Sequence, residues 1–190
     1  MDIEEFWQVV EAARAASDGG TPFDEALVAL LAVRPEAEIA AFDVRFDEAH
    51  RALYRWDVWA AAYLIGGGCS DDAFMDFRAG VIAEGRAWYG RVLAAPDALA
   101  EHPYATGGSP DEAEELFYED VNYAASQAFR RRTGDGDHDR YHEEYRRQRA
   151  ALGLDPVARA VPAEEMGEEF DFDDDDEMTR RLPGLAALYL

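Results

Sequence analysis

Apolar residues recur at three- and four-residue steps along most of this chain, and the breaks between those runs carry glycine, proline or cap residues. Residues 1–16 open with acidic side chains and then place Phe6, Val9, Val10 and Ala13 on one face, predicting an amphipathic first helix. Ser17-Asp18-Gly19-Gly20 supplies turn chemistry. Thr21 then reads as an N-cap, with Pro22 at the first helical position, Asp24 and Glu25 in the first turn, and Phe23, Ala26, Leu27, Leu30 and Leu31 as the apolar set. Arg34-Pro35 restarts the chain, and Ile39, Phe42, Phe46, Ala49 and Leu53 draw one stripe along a long third helix.

The segment 56–65 differs. It is apolar on nearly every side apart from Asp57, which predicts a helix inside the core. Gly66-Gly67-Gly68 stops it. Ser70 then caps a further helix, with Asp71 and Asp72 at its positive end, and the periodicity predicts one continuous helix through Phe74, Phe77, Val81, Ile82, Trp88 and Leu93 to Pro96. An irregular connection over 97–109 follows. Ser109-Pro110-Asp111-Glu112 predicts another cap and a helix to about Arg132, and 139–152 a last, highly charged one. No alternating strand pattern of useful length occurs, so the expected class is all-α, a compact bundle of about six to seven helices with an acidic C-terminal tail.

That tail differs in kind. Between Pro162 and Thr179 stand ten acidic residues and no basic one, so this run supplies −10 of the net −23. Blocks of like charge disfavour compaction, which predicts a disordered or loosely attached acidic tail. Leu182, Leu185, Leu188, Tyr189 and Leu190 then return and offer an apolar end that can dock as a short terminal helix. The expected organisation is a helical domain over 1–132, a charged helical extension over 133–160, and the acidic tail over 161–190.

Composition narrows the partners. With 48% apolar residues and 12% aromatics among 190 positions, a sizeable core is available. A net charge of −23 opposes phosphate neutralisation and docking on anionic membranes, so neither nucleic acid nor membrane is an expected partner, and a basic protein is. All 18 basic residues are arginine. The single cysteine, Cys69, rules out an internal disulfide and suits a reducing compartment. The N-terminus MDIEEFW has no apolar signal-peptide core, so a cytoplasmic location is expected.

The N-terminal MDIEEFWQVVEAA and the stretch FDVRFDEAHRALYRWDVWAAAYLIGGGCSDDAFMDFRAGVIAEGR resemble a bacterial domain-of-unknown-function family numbered 4240, common in actinobacteria. The resemblance covers roughly residues 1–132, and 56–77 carries its most specific part. It implies a compact helical domain and assigns no activity, substrate or catalytic residue. The charged helix and the acidic tail lie outside it.

Candidate chemistry gathers in a few places. Gly66–Gly68 feeding a helix N-terminus exposes backbone N–H groups that can hold an anion, but Asp71 and Asp72 already fill that role and no P-loop lysine follows. Cys69 beside a helix N-terminus is a candidate nucleophile, opposed by the same aspartates. Asp72 and Asp76, one turn apart, match a hard cation only as any acidic first turn does. Glu115 and Glu119 share a face without the Glu-x-x-His partners of a di-iron bundle. His138 and His142 at i, i+4 suit zinc if Asp135, Asp137 or Glu143 adds a third ligand. Arg55, Trp56, Asp57 and Trp59 form the cluster where a polar network and a ligand surface are expected, with Asp71 and Asp72 nearby. Seven arginines between Arg130 and Arg149, against five acidic residues, mark a segment onto which the acidic tail is expected to fold as a latch.

No poised nucleophile–base pair and no cofactor fingerprint is present. The leading reading is a non-enzymatic protein-interaction or regulatory module. One alternative is an enzyme with its site near Trp56, Asp57, Cys69, Asp71 and Asp72, since such sites are recognised by geometry and not by order. The other is a metal-binding accessory protein using His138 and His142.

Overall fold

A computed structural model describes residues 1–17, 20–106, 115–134, 138–155 and 161–190, and every regular element among them is helical. The α-helices are α1 (Ile3–Ser17), α2 (Phe23–Ala32), α3 (Glu36–Ala52), α4 (Trp56–Gly66), α5 (Asp71–Ala83), α6 (Gly85–Ala94), α7 (Pro103–Thr106), α8 (Ala124–Thr133), α9 (His138–Ala151), α10 (Asp175–Arg181) and α11 (Pro183–Tyr189). Short 3-10 helices span Pro96–Glu101, Glu119–Tyr123 and Ala163–Glu165. The all-α class therefore holds, but the helices outnumber the expected six to seven.

The excess has local causes. The helix expected to run from Ser70 to Pro96 is two, because Gly85 takes φ +88 just after Glu84 closes α5. Such a φ strains any residue with a Cβ, so the glycine marks a corner the apolar periodicity does not record. Pro22, not Thr21, occupies the cap position of α2, with extended ψ and no side-chain cap bond. The cap expected over 109–112 lies outside the described residues, and α-helix is regained only at Ala124, after a 3-10 turn.

Two compact units divide the chain, each built from two separate stretches. The first joins Met1–Ala49 with Asp120–Ala160; the second joins His50–Glu119 with Val161–Leu190. In the first, α1 opens with a reciprocal capping box: Glu5 N–H donates to Asp2 Oδ1 and Asp2 N–H to Glu5 Oε2, each at 2.8 Å. α2 packs on α1 and on α8, and Phe6, Leu27, Leu31, Phe42 and Phe129 are fully enclosed.

In the second unit, α4 behaves as its composition predicts on one side only. Val58, Ala60–Ala62, Leu64 and Ile65 are buried, while Trp56, Trp59 and Tyr63 stay half-exposed at i, i+3 and i+7. Gly67 ends the helix in the left-handed region at φ +61, and Ser70 caps α5 by accepting from Ala73 N–H at 3.2 Å. The end of the chain is packed rather than solvated throughout: Met178, Leu182 and Leu185 are buried. Asp174 caps α10, and Asp97 caps α11 from across the unit, accepting from Gly184 N–H at 3.0 Å and Leu185 N–H at 2.9 Å.

Candidate docking ledge

The half-exposed face of α4 is an aromatic ledge. Trp56 and Trp59 stack with centroids 5.5 Å apart at 10°, and Trp59 continues onto Phe74 at 4.7 Å and 14°. The indole N–H of Trp59 donates to the Cys69 carbonyl at 3.0 Å, which holds the ring against the glycine turn. The ledge is therefore rigid, with one indole edge satisfied internally.

Arg55 and Asp57 explain the carboxylate between two tryptophans. Arg55 Nε donates to Asp57 Oδ1 at 3.0 Å, and its second guanidinium arm pairs with Oδ2. Arg55 also donates to the Leu93 carbonyl at 2.7 Å near the end of α6, and Asp57 accepts from Val58 N–H at 2.9 Å. The pair staples the start of α4 to α6 and is consumed in doing so.

A strap from the acidic region lies on this ledge. Phe172 meets Tyr63 at 5.4 Å, Trp56 at 6.1 Å and Trp59 at 6.5 Å, and Phe170 packs edge-on against Phe172 at 5.2 Å. The Trp56 N–H donates to the Met166 carbonyl at 3.0 Å, and the Tyr63 hydroxyl donates to Asp173. That bond holds the Tyr63 phenol above its ordinary pKa. Glu165 pairs with Arg51 at 3.1 Å and Glu168 with Arg181 at 2.9 Å, while Arg181 also covers the Phe170 ring at 4.2 Å. Alternate residues thus divide: Phe170 and Phe172 are half-buried, whereas Asp171 and Asp173 are exposed. The acidic run thereby finds partners inside its own unit, in Arg51, Arg180 and Arg181.

Behind the ledge sits a buried cation. Arg78 is 8% exposed; its Nε donates to the Phe74 carbonyl at 3.2 Å, and Nη1 donates to His50 Nδ1 at 2.9 Å and to the His50 carbonyl at 3.1 Å. The guanidinium lies over Tyr54 at 4.6 Å and Phe74 at 4.8 Å. Burial lowers its pKa to about 10, and burial with the nearby Arg78 charge lowers that of His50 to about 4. His50 is therefore neutral, with Nε2–H donating to the Met75 carbonyl at 2.9 Å. Burial pushes the Cys69 thiol up to about 11.

Of the remaining sequence candidates only Cys69 touches this cluster, through its carbonyl on the Trp59 indole. Asp71 and Asp72 are exposed on the first turn of α5. Cys69 is half-buried, and its raised pKa makes it a poor nucleophile. His142 is exposed beside Tyr141, and the side chain of His138 lies outside the described residues, as do Asp135 and Asp137. Among the described residues no group of three or more His, Cys, Asp or Glu side chains could hold a metal ion.

One polar network in the first unit escapes sequence reasoning. Asp43 and Asp47, one turn apart on α3, accept from Tyr141 and Tyr145, one turn apart on α9; the Tyr141 bond is 2.5 Å, and Arg149 donates to the Tyr145 hydroxyl at 3.2 Å. Burial, then the neighbouring Asp47, raises Asp43 to about 7, and burial raises Asp47. A carboxyl whose folded pKa exceeds its unfolded one stabilises the fold in the protonated form, so its contribution falls as pH rises from about 4 to 7. Asp43→Asn is expected to exceed the unmodified chain in stability at pH 8, with the advantage vanishing toward pH 4. Urea unfolding at both pH values measures this, and a pH-independent difference would refute it.

Fold and ledge define an all-α protein whose second unit carries an aromatic helix face. Its family follows from the sequence: the profile described as "Protein of unknown function (DUF4240)" matches residues 1–131, and the chain belongs to that family. The match includes Trp56, Trp59 and Tyr63 and ends before the strap. No curated protein and no solved structure matches the chain. Among the described residues no helix is long and apolar enough to cross a membrane.

Proposed function

We propose that this chain is a non-enzymatic protein-interaction or regulatory module of the cytoplasm, whose partner-facing element is the acidic strap. The observation that carries the reading is how the strap is anchored: Phe172 lies on the ledge, Phe170 packs on Phe172 beneath Arg181, and Asp171, Asp173 and the carboxylates around them are exposed. A solvated row of carboxylates on an anchored backbone suits a basic protein, whose approach it accelerates by electrostatic attraction. The same charge opposes nucleic acid and anionic membranes. The enzyme reading is weakened by the raised thiol of Cys69 and by the engagement of Asp57 with Arg55. The metal reading rests on His142 and a residue whose side chain is not described.

The test compares two sets of substitutions in the full chain. Glu164, Glu169, Asp175 and Asp176 on the strap and α10 are changed to their amides in one; Glu4, Glu11, Glu25 and Glu38 on α1–α3 are changed in the other. An arginine-rich peptide is then titrated at about 0.1 M salt, where charges beyond about 10 Å are screened. Affinity is expected to fall about tenfold in the first set and far less in the second. Equal losses would mean that the peptide reads total charge and that the strap has no special role.

A further inference from the structure

The ledge and the strap belong to different parts of the sequence. The ledge lies within the family match, over 1–131, and the strap lies beyond it. The match thus includes Trp56, Trp59 and Tyr63 and stops short of the segment that covers them. The strap between Met166 and Asp174 has no helical hydrogen bonding, and it reaches α4 through one main-chain bond, Trp56 N–H to the Met166 carbonyl. Its other contacts there are side-chain ones: Phe172 on three rings and Asp173 on the Tyr63 hydroxyl. A non-helical segment that turns at Phe172-Asp173, seats one aromatic ring on an aromatic face and leaves Asp171 exposed beside it has the form of a bound peptide ligand, with Phe170 backing the seated ring.

From this we infer that the aromatic ledge of α4 is a peptide-docking groove, that its ligand class is a short acidic turn segment seating one aromatic ring on Trp56, Trp59 and Tyr63 with a second aromatic two residues earlier to back it, and that residues 166–174 are a competitor held in place by the chain itself. The inference rests on the strap being the partner-facing element: a partner that draws the strap away exposes the groove. Terminal anchoring supports the competitor role. α11 is held by Asp97 and by buried Leu185, so the strap can leave the ledge while its far end stays attached. A tethered segment of this length works at an effective concentration in the millimolar range, enough to mask a groove of modest affinity. Arg51, which pairs with Glu165, supplies the domain's own cation for the acidic side of such a ligand.

The probe is a labelled synthetic peptide of the chain's own residues 167–174, followed by fluorescence anisotropy. The unmodified full chain is expected to bind it weakly. The full-length Phe170→Ala/Phe172→Ala variant, whose own strap no longer fits, is expected to bind it at least about tenfold more tightly. Trp59→Ala in that background, or a peptide with both phenylalanines replaced by alanine, is expected to abolish binding. Should the double variant fold poorly, Asp173→Asn loosens the strap without touching the ledge, and a smaller gain in the same direction is expected. Amide exchange at Trp56 reports release of the strap directly. A variant with fast Trp56 exchange that still fails to bind the peptide, or binds the alanine peptide equally well, overturns the groove. That result leaves the charge-swap comparison of the strap untouched, so failure of the groove and failure of the partner-facing strap are read separately.

Discussion

Gly80→Ala is expected to destabilise the second unit by about 2–3 kcal/mol, lowering the thermal midpoint by roughly 5–10 °C at the sensitivity of a chain this long. A Cβ built at Gly80 on α5 meets the Leu116 carbonyl oxygen at 2.0 Å and the Leu116 carbonyl carbon at 2.7 Å. Both are backbone atoms, so no rotamer change relieves the clash; the 115–118 segment has to move. That segment is held by its own contacts. Leu116 is buried at 1% exposure, Phe117 packs on Phe77 at 5.2 Å, and Tyr118 N–H donates to the Asp76 carbonyl at 3.1 Å. Alanine's better helix propensity returns only about 1 kcal/mol, which does not offset displacing a buried leucine. Gly90→Ala is the control. It sits in α6 with open space where the Cβ would go, so propensity acts alone and stability is expected to rise by up to about 1 kcal/mol. Denaturant unfolding of the two variants should therefore move in opposite directions; a neutral Gly80→Ala would mean that Leu116 does not cross α5 at that point.

Glycine shows why part of this fold is legible in the sequence and part is not. The stop at Gly66–Gly68 and the cap at Ser70 follow from local chemistry, and both are found where the sequence places them. Gly80 looks like an indifferent helix residue, because the strand of backbone crossing it arrives from 36 residues further on. Gly85 hides a corner, since apolar spacing continues through it from Val81 to Trp88. The same limit governs the candidate site. Arg55, Trp56, Asp57 and Trp59 stand together in sequence and do form one cluster, though with Asp57 as a staple and not a free carboxylate. Phe170 and Phe172 are readable only as part of an acidic run, because charge density dominates composition there while Phe172 and the Met166 carbonyl seat the run on α4. The Asp43 and Tyr141 pairing spans 98 residues, and no local signal announces it. An i, i+4 aspartate pair and an i, i+4 tyrosine pair on separate helices are the trace that could have raised it.

Arg78→Met is expected to cost about 2–3 kcal/mol and to raise the pKa of His50. Methionine retains much of the length and fills the slot between Tyr54 and Phe74, so the loss is polar more than steric. Three acceptors lose a donor: the Phe74 carbonyl, the His50 ring Nδ1 and the His50 carbonyl, the last lying in the final turn of α3, where carbonyls lack intrahelical partners. Arg78 thus acts as the cap and counter-charge of that helix end. Relief of its own burial penalty works the other way, yet it amounts to less than the orphaned acceptors, because the guanidinium is already solvated by two carbonyls and two ring faces. The histidine reports the change independently of stability. A folded pKa near 4, against about 6.5 unfolded, makes His50 a group whose stability contribution is complete above about pH 6.5 and is lost as pH falls toward 4. Removing the adjacent charge lifts the folded value part of the way, since burial, the larger cause, persists. The acid loss between pH 6.5 and 4 should therefore be shallower in Arg78→Met than in the unmodified chain, although the variant is weaker at pH 7. Arg78→Lys separates charge from geometry: it keeps the cation near His50 but lacks the planar fork, so it should hold the His50 pKa low while recovering less than half of the lost stability. Proton-detected titration of the histidine rings reads the first effect and urea unfolding the second. A His50 pKa unmoved in Arg78→Met would show that burial alone keeps this ring neutral and that the arginine serves only as a helix cap.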